Sequence, residues 1–179
     1  MKKIKYFLLF LFLTTLLQAQ QDIKPVYKNT IKTTFLSYIT GSSKITYERA
    51  IFPRQSFEIT GGIIGVGYDK LKINSKGGLF RAAYKFMFSQ SLNGSFIKSE
   101  YAFSSFYFDS KNAERTHSNM QTIMCNIGYQ QIIKRFVSEG FLGAGVGWGN
   151  HTELNYHHGY IDCYGWLTLS FGIRVGLAF

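Results

Sequence analysis

The sequence has few of the residues that define several common classes of protein. Its 179 residues include only two cysteines and two prolines, and charged residues make up 17% of the chain. Two cysteines are too few for a disulfide scaffold, and the low charge excludes a disordered chain. After the N-terminal segment there is also no apolar run of the roughly 20 residues that a transmembrane helix needs. These absences leave one ordinary folded domain, or at most two.

Aromatic residues and glycine are abundant instead. The chain has 17 phenylalanines, 12 tyrosines and 18 glycines. Aromatic side chains favour strands over helices, and small barrels have crowded interiors in which glycine fits. The composition therefore favours an all-β fold.

The N-terminus has the pattern of a secretory signal peptide. Three lysines among the first five residues precede an apolar run at 6–17, and the small residue Ala19 follows. A basic start, about 7–15 apolar residues and a small residue at the cleavage point define such a peptide, whereas this run is too short to span a membrane. We predict a signal peptide at 1–19, a short periplasmic leader at 20–28, and export of the remaining chain.

The last segment alternates strictly between large apolar residues and small or polar ones. The large residues occupy the odd positions: Leu167, Leu169, Phe171, Ile173, Val175, Leu177 and Phe179. This period of two predicts a strand with one apolar face. Such a face suits either contact with lipid or the core of a soluble sandwich or lipocalin-like barrel.

Other segments discriminate between these alternatives. Residues 80–88, 97–107, 123–130 and 136–149 each have one bulky apolar face, opposite a face of glycine, small residues and isolated charges. Small residues fit the crowded inside of a narrow barrel, and bulky apolar residues fit lipid outside it. The pattern therefore favours an apolar exterior.

Eight strands follow from this alternation. We predict them near residues 30–39, 44–52, 56–66, 78–88, 95–108, 119–132, 136–149 and 164–179. Short connections alternate with longer polar ones, as in outer-membrane barrels with periplasmic turns and external loops. We therefore predict an all-β, eight-stranded antiparallel up-and-down transmembrane β-barrel over residues 29–179, with both ends on the periplasmic side.

The order of several short motifs resembles a known family. An opening strand at 29–32, a tight turn at Gly41, the segment 47–50 and a glycine-rich third strand resemble a group of small bacterial outer-membrane barrels with no assigned activity. The last strand resembles the assembly signal of such proteins, carried here by Phe171, Ile173, Val175, Leu177 and Phe179. The resemblance implies an OmpA- or OmpX-like barrel in a Gram-negative outer membrane. It implies no assigned activity and no catalytic residues.

The same alternation places charged residues inside the barrel. They are five basic and four acidic residues: Lys32, Glu48, Glu58, Arg81, Lys85, Lys98, Glu100, Glu139 and Arg174. Charges inside so narrow a barrel are costly unless they pair, so we expect one network of ion pairs near the short turns. A ring of one sign would instead indicate a selective pore. The nearly balanced set favours a plugged lumen over a selectivity constriction or gate.

The predicted last loop contains the residues best suited to a reaction or a metal. His151, Glu153, His157 and His158 lie there, and imidazole with carboxylate can bind a metal or transfer protons. The adjacent positions of His157 and His158 do not direct both side chains at one ion, and no G-x-S-x-G nucleophile motif occurs. We therefore expect no enzyme activity, metal or cofactor, and these four residues form only a weak alternative metal site.

Two classes of function stay open. The favoured one is a non-enzymatic outer-membrane barrel with a structural role, or with a docking role through its outer loops or apolar wall. The other is a rim enzyme that modifies lipid or peptide through the last loop, and a narrow solute channel is a further alternative. The basic residues behind the net charge of +10 are scattered along the sequence. We expect membrane lipid, the barrel-assembly machinery and a docked protein as partners, and no nucleic acid.

Overall fold

The computed structural model describes residues 27–34, 37, 41–66, 74–89, 92–109, 115–150, 160–162 and 167–179, with only the backbone described at 160–162. The predicted signal peptide at 1–19 and nearly all of the predicted leader at 20–28 lie outside these residues. Within the described residues, no helix is long and apolar enough to cross a membrane.

The described chain consists of strands joined by turns and loops. The strands are β1 (Asn29–Thr34), β2 (Ser42–Phe52), β3 (Gln55–Ile64), β4 (Lys76–Met87), β5 (Gly94–Asp109), β6 (Arg115–Ile133), β7 (Phe136–Gly149), β8 (Tyr160–Asp162) and β9 (Leu167–Ala178). Every second side chain of a strand faces the same side, so the alternating sequence gives each long strand two faces of different chemistry.

The strands form a closed antiparallel sheet. Each strand from β1 to β7 pairs with the next, β7 pairs with β9, and β9 returns to pair with β1. The closing pairs run from Thr30 opposite Ala178 to Thr34 opposite Arg174. Closure removes the sheet edges whose backbone groups would otherwise lack partners. The prediction of an eight-stranded all-β barrel is confirmed, with β8 as a short addition to it.

The structure gives the first strand a shorter range than the alternation predicts and adds one short strand. The first strand is predicted up to residue 39, whereas β1 is Asn29–Thr34, and the Ser37 hydroxyl donates to the Thr34 carbonyl oxygen over 2.6 Å. The strand β8 pairs with β9 from Thr168 to Ser170. A strand of three residues is too short for a period of two to reveal.

The exterior of the barrel is apolar. Large apolar side chains are exposed there, as at Leu142, which keeps 61% of its surface exposed. Exposed aromatic rings lie near both ends: Phe52, Phe88, Phe136 and Phe179 beside the short turns, and Tyr107 and Trp148 beside the longer loops. We call these two ends the short-turn rim and the long-loop rim. The barrel thus reverses the usual arrangement of a soluble protein, in which such side chains are mostly buried.

The interior contains more large apolar side chains than the sequence predicts. One buried cluster lies towards the long-loop rim and consists of Ile64, Leu79, Phe106, Phe108 and Met120. A second, of Met87, Phe96 and Phe141, lies towards the short-turn rim. The expectation of an inner face of glycine, small residues and isolated charges is therefore incomplete, because large apolar side chains also fill the interior towards both rims.

Glycine makes room for one of these rings. A Cβ atom at Gly172 would lie 2.6 Å from Cζ of Phe141, and one at Gly128 would lie 2.9 Å from the Phe141 Cβ. Both distances are shorter than any normal carbon–carbon contact. The flat backbone of β6 and β9 is therefore the surface against which the Phe141 ring packs.

Candidate functional site

Three buried glutamates meet at the centre of the charged interior. Glu48 on β2 lies directly opposite Glu58 on β3, and Glu139 comes from β7 on the other side of the closing seam. Like charges in direct opposition destabilise a sheet unless cations lie between them. The site therefore needs positive charge at this point.

Two lysines supply that charge. The Lys32 Nζ lies 2.7 Å from Oε2 of Glu48 and 2.8 Å from Oε1 of Glu58, and it also contacts Glu139. The Lys85 Nζ lies 3.1 Å from Glu48, 2.5 Å from Glu58 and 3.0 Å from Glu139. Each ammonium group therefore bridges all three carboxylates.

A neutral side chain completes this centre. The Oε1 of Gln130 accepts hydrogen bonds from Lys32 over 3.1 Å and from Lys85 over 2.9 Å. Its amide nitrogen donates to the Leu92 carbonyl oxygen over 2.9 Å. Gln130 thus connects the charged centre to the turn between β4 and β5.

Arg174 extends the network from β9. Its guanidinium lies 2.9 Å from Glu58, 3.2 Å from Glu139 and 3.6 Å from Glu100. Lys98 lies 3.1 Å from Glu100 and 3.3 Å from Glu58. These contacts join β3, β5, β7 and β9 across the barrel through side chains alone.

Arg81 is at the edge of the network. Its guanidinium lies 3.2 Å from Oε1 of Glu100, whereas Lys98 contacts the other oxygen of that carboxylate, Oε2. The structure therefore places all nine charged residues named from the sequence in the interior, and each is at most 5% exposed. An isolated buried charge is costly, whereas these have several partners of opposite sign.

Aromatic rings adjoin the cations on the short-turn side. The Lys85 ammonium lies 4.3 Å from the centroid of the Phe96 ring, and Lys98 and Arg174 lie 4.5 Å and 4.6 Å from that of Phe141. Cations at this distance from a ring face are attracted to it. The apolar cluster and the ion network are therefore one packed unit.

The three glutamates also have the donor set of a cation site. One carboxylate oxygen from each of Glu48, Glu58 and Glu139 lies within 4.8 Å of the others. Oxygen ligands of this kind suit a hard divalent cation. The Lys32 and Lys85 ammonium groups each contact all three carboxylates. The protein's own cations therefore neutralise the oxygens that could otherwise bind a metal ion.

One interior charge was not predicted from the sequence. Lys44 on β2 is only 2% exposed, and the charges that act on it include those of Arg81 and Glu100. The signal was available, because Lys44 has the same parity as Glu48 on the same strand. With Lys44 the described interior contains six basic and four acidic side chains.

The prediction of a weak metal site in the last loop falls on residues that the structure does not describe. His151, Glu153, His157 and His158 lie outside the described residues. His117, on β6, is exposed on the exterior, where its ring nitrogen lies 2.9 Å from the Ser105 hydroxyl. The only cluster of possible metal ligands within the described residues is the glutamate centre.

The five residues that resemble an assembly signal share one face of β9. Phe171, Ile173, Leu177 and Phe179 are exposed on the exterior, and Val175 is half-buried beside them. The backbone of Phe179 exchanges two hydrogen bonds with Asn29, of 2.9 and 3.0 Å. The end of the chain thus lies at the closing seam of the barrel.

The geometry defines a fold, the closed eight-stranded antiparallel β-barrel. Among solved structures, the chain is similar to the N-terminal β-barrel domain of OprF from Pseudomonas aeruginosa, with a TM-score of 0.50 and 12% sequence identity. The match covers 84% of this chain and 94% of that domain. No protein-family model and no curated protein matches the sequence. At such low identity the similarity shows the fold.

Proposed function

We propose that the protein is an integral outer-membrane β-barrel, exported through a cleaved signal peptide at 1–19. The observation that carries this proposal is the reversed polarity of a closed barrel. The described residues expose 27 large apolar side chains, while ten charged side chains are buried inside. In water such a surface would be an aggregation hazard, whereas in a bilayer it is the surface that lipid requires.

Closure of the sheet supports the same proposal. A bilayer has no water to satisfy backbone groups, so only helices and closed barrels span it. The pairing of β1 with β9 leaves no open edge along the seam from Thr30 to Thr34. The aromatic residues at the two rims have the positions of the girdles that mark the membrane interfaces.

A plugged lumen is the second part of the proposal. The ion network connects seven strands, β1 to β5, β7 and β9, and apolar clusters lie on its short-turn and long-loop sides. A solute would have to break several ion pairs and displace aromatic rings to pass. The protein then acts as a structural or docking barrel rather than as a channel, with loops or wall as the contact surface.

Membrane insertion is tested by refolding the purified chain into phosphatidylcholine vesicles. We expect strands protected from protease and a difference in electrophoretic mobility between unheated and heated samples, which reports a folded barrel. Cell fractionation should find the protein with the outer membrane. Failure to insert into any vesicle, or a soluble monomer in the periplasm, would contradict the proposal.

The plugged lumen is tested by recordings from single molecules in planar bilayers. We expect no steady conductance from the wild-type protein. The matched variant is Phe141→Ala with Phe96→Ala, which removes the rings and keeps every charge. A large and steady wild-type current would contradict the plugged lumen. A current in the variant alone would show that the Phe96 and Phe141 rings block the lumen.

A non-enzymatic role is the third part of the proposal. Its alternative, a rim enzyme, depends on His151, Glu153, His157 and His158. Purified barrel incubated with outer-membrane lipids or with peptides should leave their masses unchanged. A mass change that is lost in His157→Ala would contradict this part and leave the membrane placement intact.

A further inference from the structure

Among the described residues, the charged side chains exposed at the short-turn rim are all of one sign. Five exposed basic residues lie there, and none of them forms an ion pair with another described residue: Lys28, Arg49, Arg54, Lys134 and Arg135. We call these five residues the basic arc. They come from three separate segments of the sequence, at 28, 49–54 and 134–135, and the fold brings these segments to one end of the barrel.

Backbone hydrogen bonds show that the arc is continuous over neighbouring strands. The Ala178 amide donates to the Arg135 carbonyl oxygen over 2.8 Å, and the Ala50 amide donates to that of Lys28 over 2.8 Å. Asn29, next to Lys28, pairs with the end of β9. The arc therefore follows the rim from the turn between β6 and β7, past β9 and β1, to β2 and the turn that follows it.

Acidic side chains are absent from the described part of this rim. The glutamates Glu48, Glu58, Glu100 and Glu139 are buried in the ion network, and Asp109 and Asp162 lie on the long-loop side. At the long-loop rim the described residues carry both signs, with Lys76 and Arg115 near Asp109. The excess of positive charge is therefore specific to the short-turn end.

The arc lies at the level of the aromatic girdle. Arg54 follows the exposed Phe52 by two residues, and Arg135 directly precedes the exposed Phe136. Aromatic girdles lie at the level of lipid headgroups, and long basic side chains beside them reach the phosphates. A guanidinium can bind a phosphate through two parallel hydrogen bonds.

We propose that the basic arc binds the headgroups of anionic phospholipids in the membrane leaflet on the short-turn side. This proposal rests on the proposed membrane placement. A zwitterionic headgroup carries a cation that offsets its phosphate, whereas an anionic headgroup leaves a net negative charge for the arc. The arc covers one part of the rim, because the described residues of the turn between β4 and β5 have no charge.

The test measures lipid retention. The full chain is refolded into vesicles of equal parts phosphatidylcholine and phosphatidylglycerol, extracted with mild detergent, and its bound lipids are counted by mass spectrometry. We expect wild-type protein to retain phosphatidylglycerol in excess. In K28Q/R135Q the excess should fall by about threefold or more, because each basic residue at a membrane surface contributes attraction to anionic lipid.

The matched control is K76Q/R115Q, which also removes one lysine and one arginine but at the long-loop rim. Its lipid excess should equal that of the wild type. Equal retention of the two lipids by the wild type, or equal losses in the two variants, would overturn the proposal. Absence of lipid selectivity together with arc-dependent sedimentation on insoluble peptidoglycan would also overturn it, in favour of a different partner.

If the protein were not an integral membrane barrel, the experiment would give a different result from a failure of the lipid proposal alone. In that case the wild type would not insert into pure phosphatidylcholine vesicles and would stay sensitive to protease. Insertion there without selectivity for phosphatidylglycerol contradicts only the lipid proposal. High salt should weaken the selectivity, because the arc is exposed and its interactions are screened.

Discussion

The interior and the exterior of the barrel have opposite chemistry, although neighbouring residues of the same strands build both. On β7, Glu139 and Phe141 point inward, and Leu142 and Phe136 are exposed on the outer face. Inside, each charge is held by named partners of the protein. On the exterior, the side chains contact the surroundings of the barrel rather than partners within the protein. The effect of a substitution should therefore depend on its face more than on its position along the strand.

The largest expected effect is the loss of an interior cation. Lys32→Met leaves Glu48, Glu58 and Glu139 facing one another with one bridging ammonium fewer, so the free energy of unfolding should fall by about 3–5 kcal/mol. Urea titration of the barrel in lipid or detergent measures this. The control Lys76→Met removes an exposed lysine and should cost less than about 1 kcal/mol.

A second substitution sharpens this test. In the double variant Lys32→Met with Glu139→Gln, the free energy of unfolding should fall by less than the sum of the two single losses. The reason is that the double variant removes one charge of each sign and leaves less charge without a partner. Additive costs would mean that Lys32 does not interact with Glu139 in the folded barrel. Equal losses for Lys32→Met and Lys76→Met would contradict the whole distinction between interior and exterior.

The next largest effect is a charge placed on the exterior. Leu142→Lys puts an ammonium near the middle of the outer wall, and in a membrane it should cost about 2–4 kcal/mol. Ser138→Lys, on the same face of β7 but near the short-turn rim, should cost roughly 0–1 kcal/mol because the side chain reaches the interface. Urea titration in vesicles measures both. Equal costs would show that the apolar wall is not immersed in lipid.

Glycine provides a third comparison with matched chemistry. Gly172 faces the interior, where a Cβ would meet the Phe141 ring, whereas a Cβ at exterior Gly140 would meet nothing within 4 Å. Gly172→Val should therefore cost about 1–3 kcal/mol through overpacking, and Gly140→Val should be nearly neutral. Thermal unfolding followed by gel mobility ranks the two. The reverse ranking would contradict the assignment of faces on β7 and β9.

Much of this comparison was predictable from the sequence. A period of two assigns each residue to a face without knowledge of partners, so the strands and the nine named interior charges follow directly. Lys44 follows from the same rule, since it shares the parity of Glu48 on β2. Phe96, Phe106 and Phe108 share the parity of the interior residues of β5. They were not predicted to be inside, because bulky apolar residues were assigned to the face that contacts lipid.

The specific contacts were not predictable. Which charges touch depends on the stagger between strands and on which residues face each other across the lumen, and neither is encoded in the alternation of a single strand. Lys32 on β1 bridges glutamates from β2, β3 and β7 because closure brings the last strands beside the first. The basic arc has the same origin, since its residues belong to different strands and turns.

The smallest expected effect on stability comes from the exterior rim, at Phe179. If the assembly machinery binds the outer face of β9, Phe179→Ala should reduce the amount of folded barrel in the outer membrane several-fold. Phe136→Ala is the control, because Phe136 is an equally exposed aromatic residue of the same rim, at 51% against 58%. In purified protein refolded into detergent, both changes should cost about 1 kcal/mol or less, since more than half of each side chain is exposed. Quantitative blotting of membrane fractions measures the first effect and urea titration the second. Equal losses of Phe179→Ala and Phe136→Ala in cells would mean that Phe179 is one more girdle residue and not part of an assembly signal.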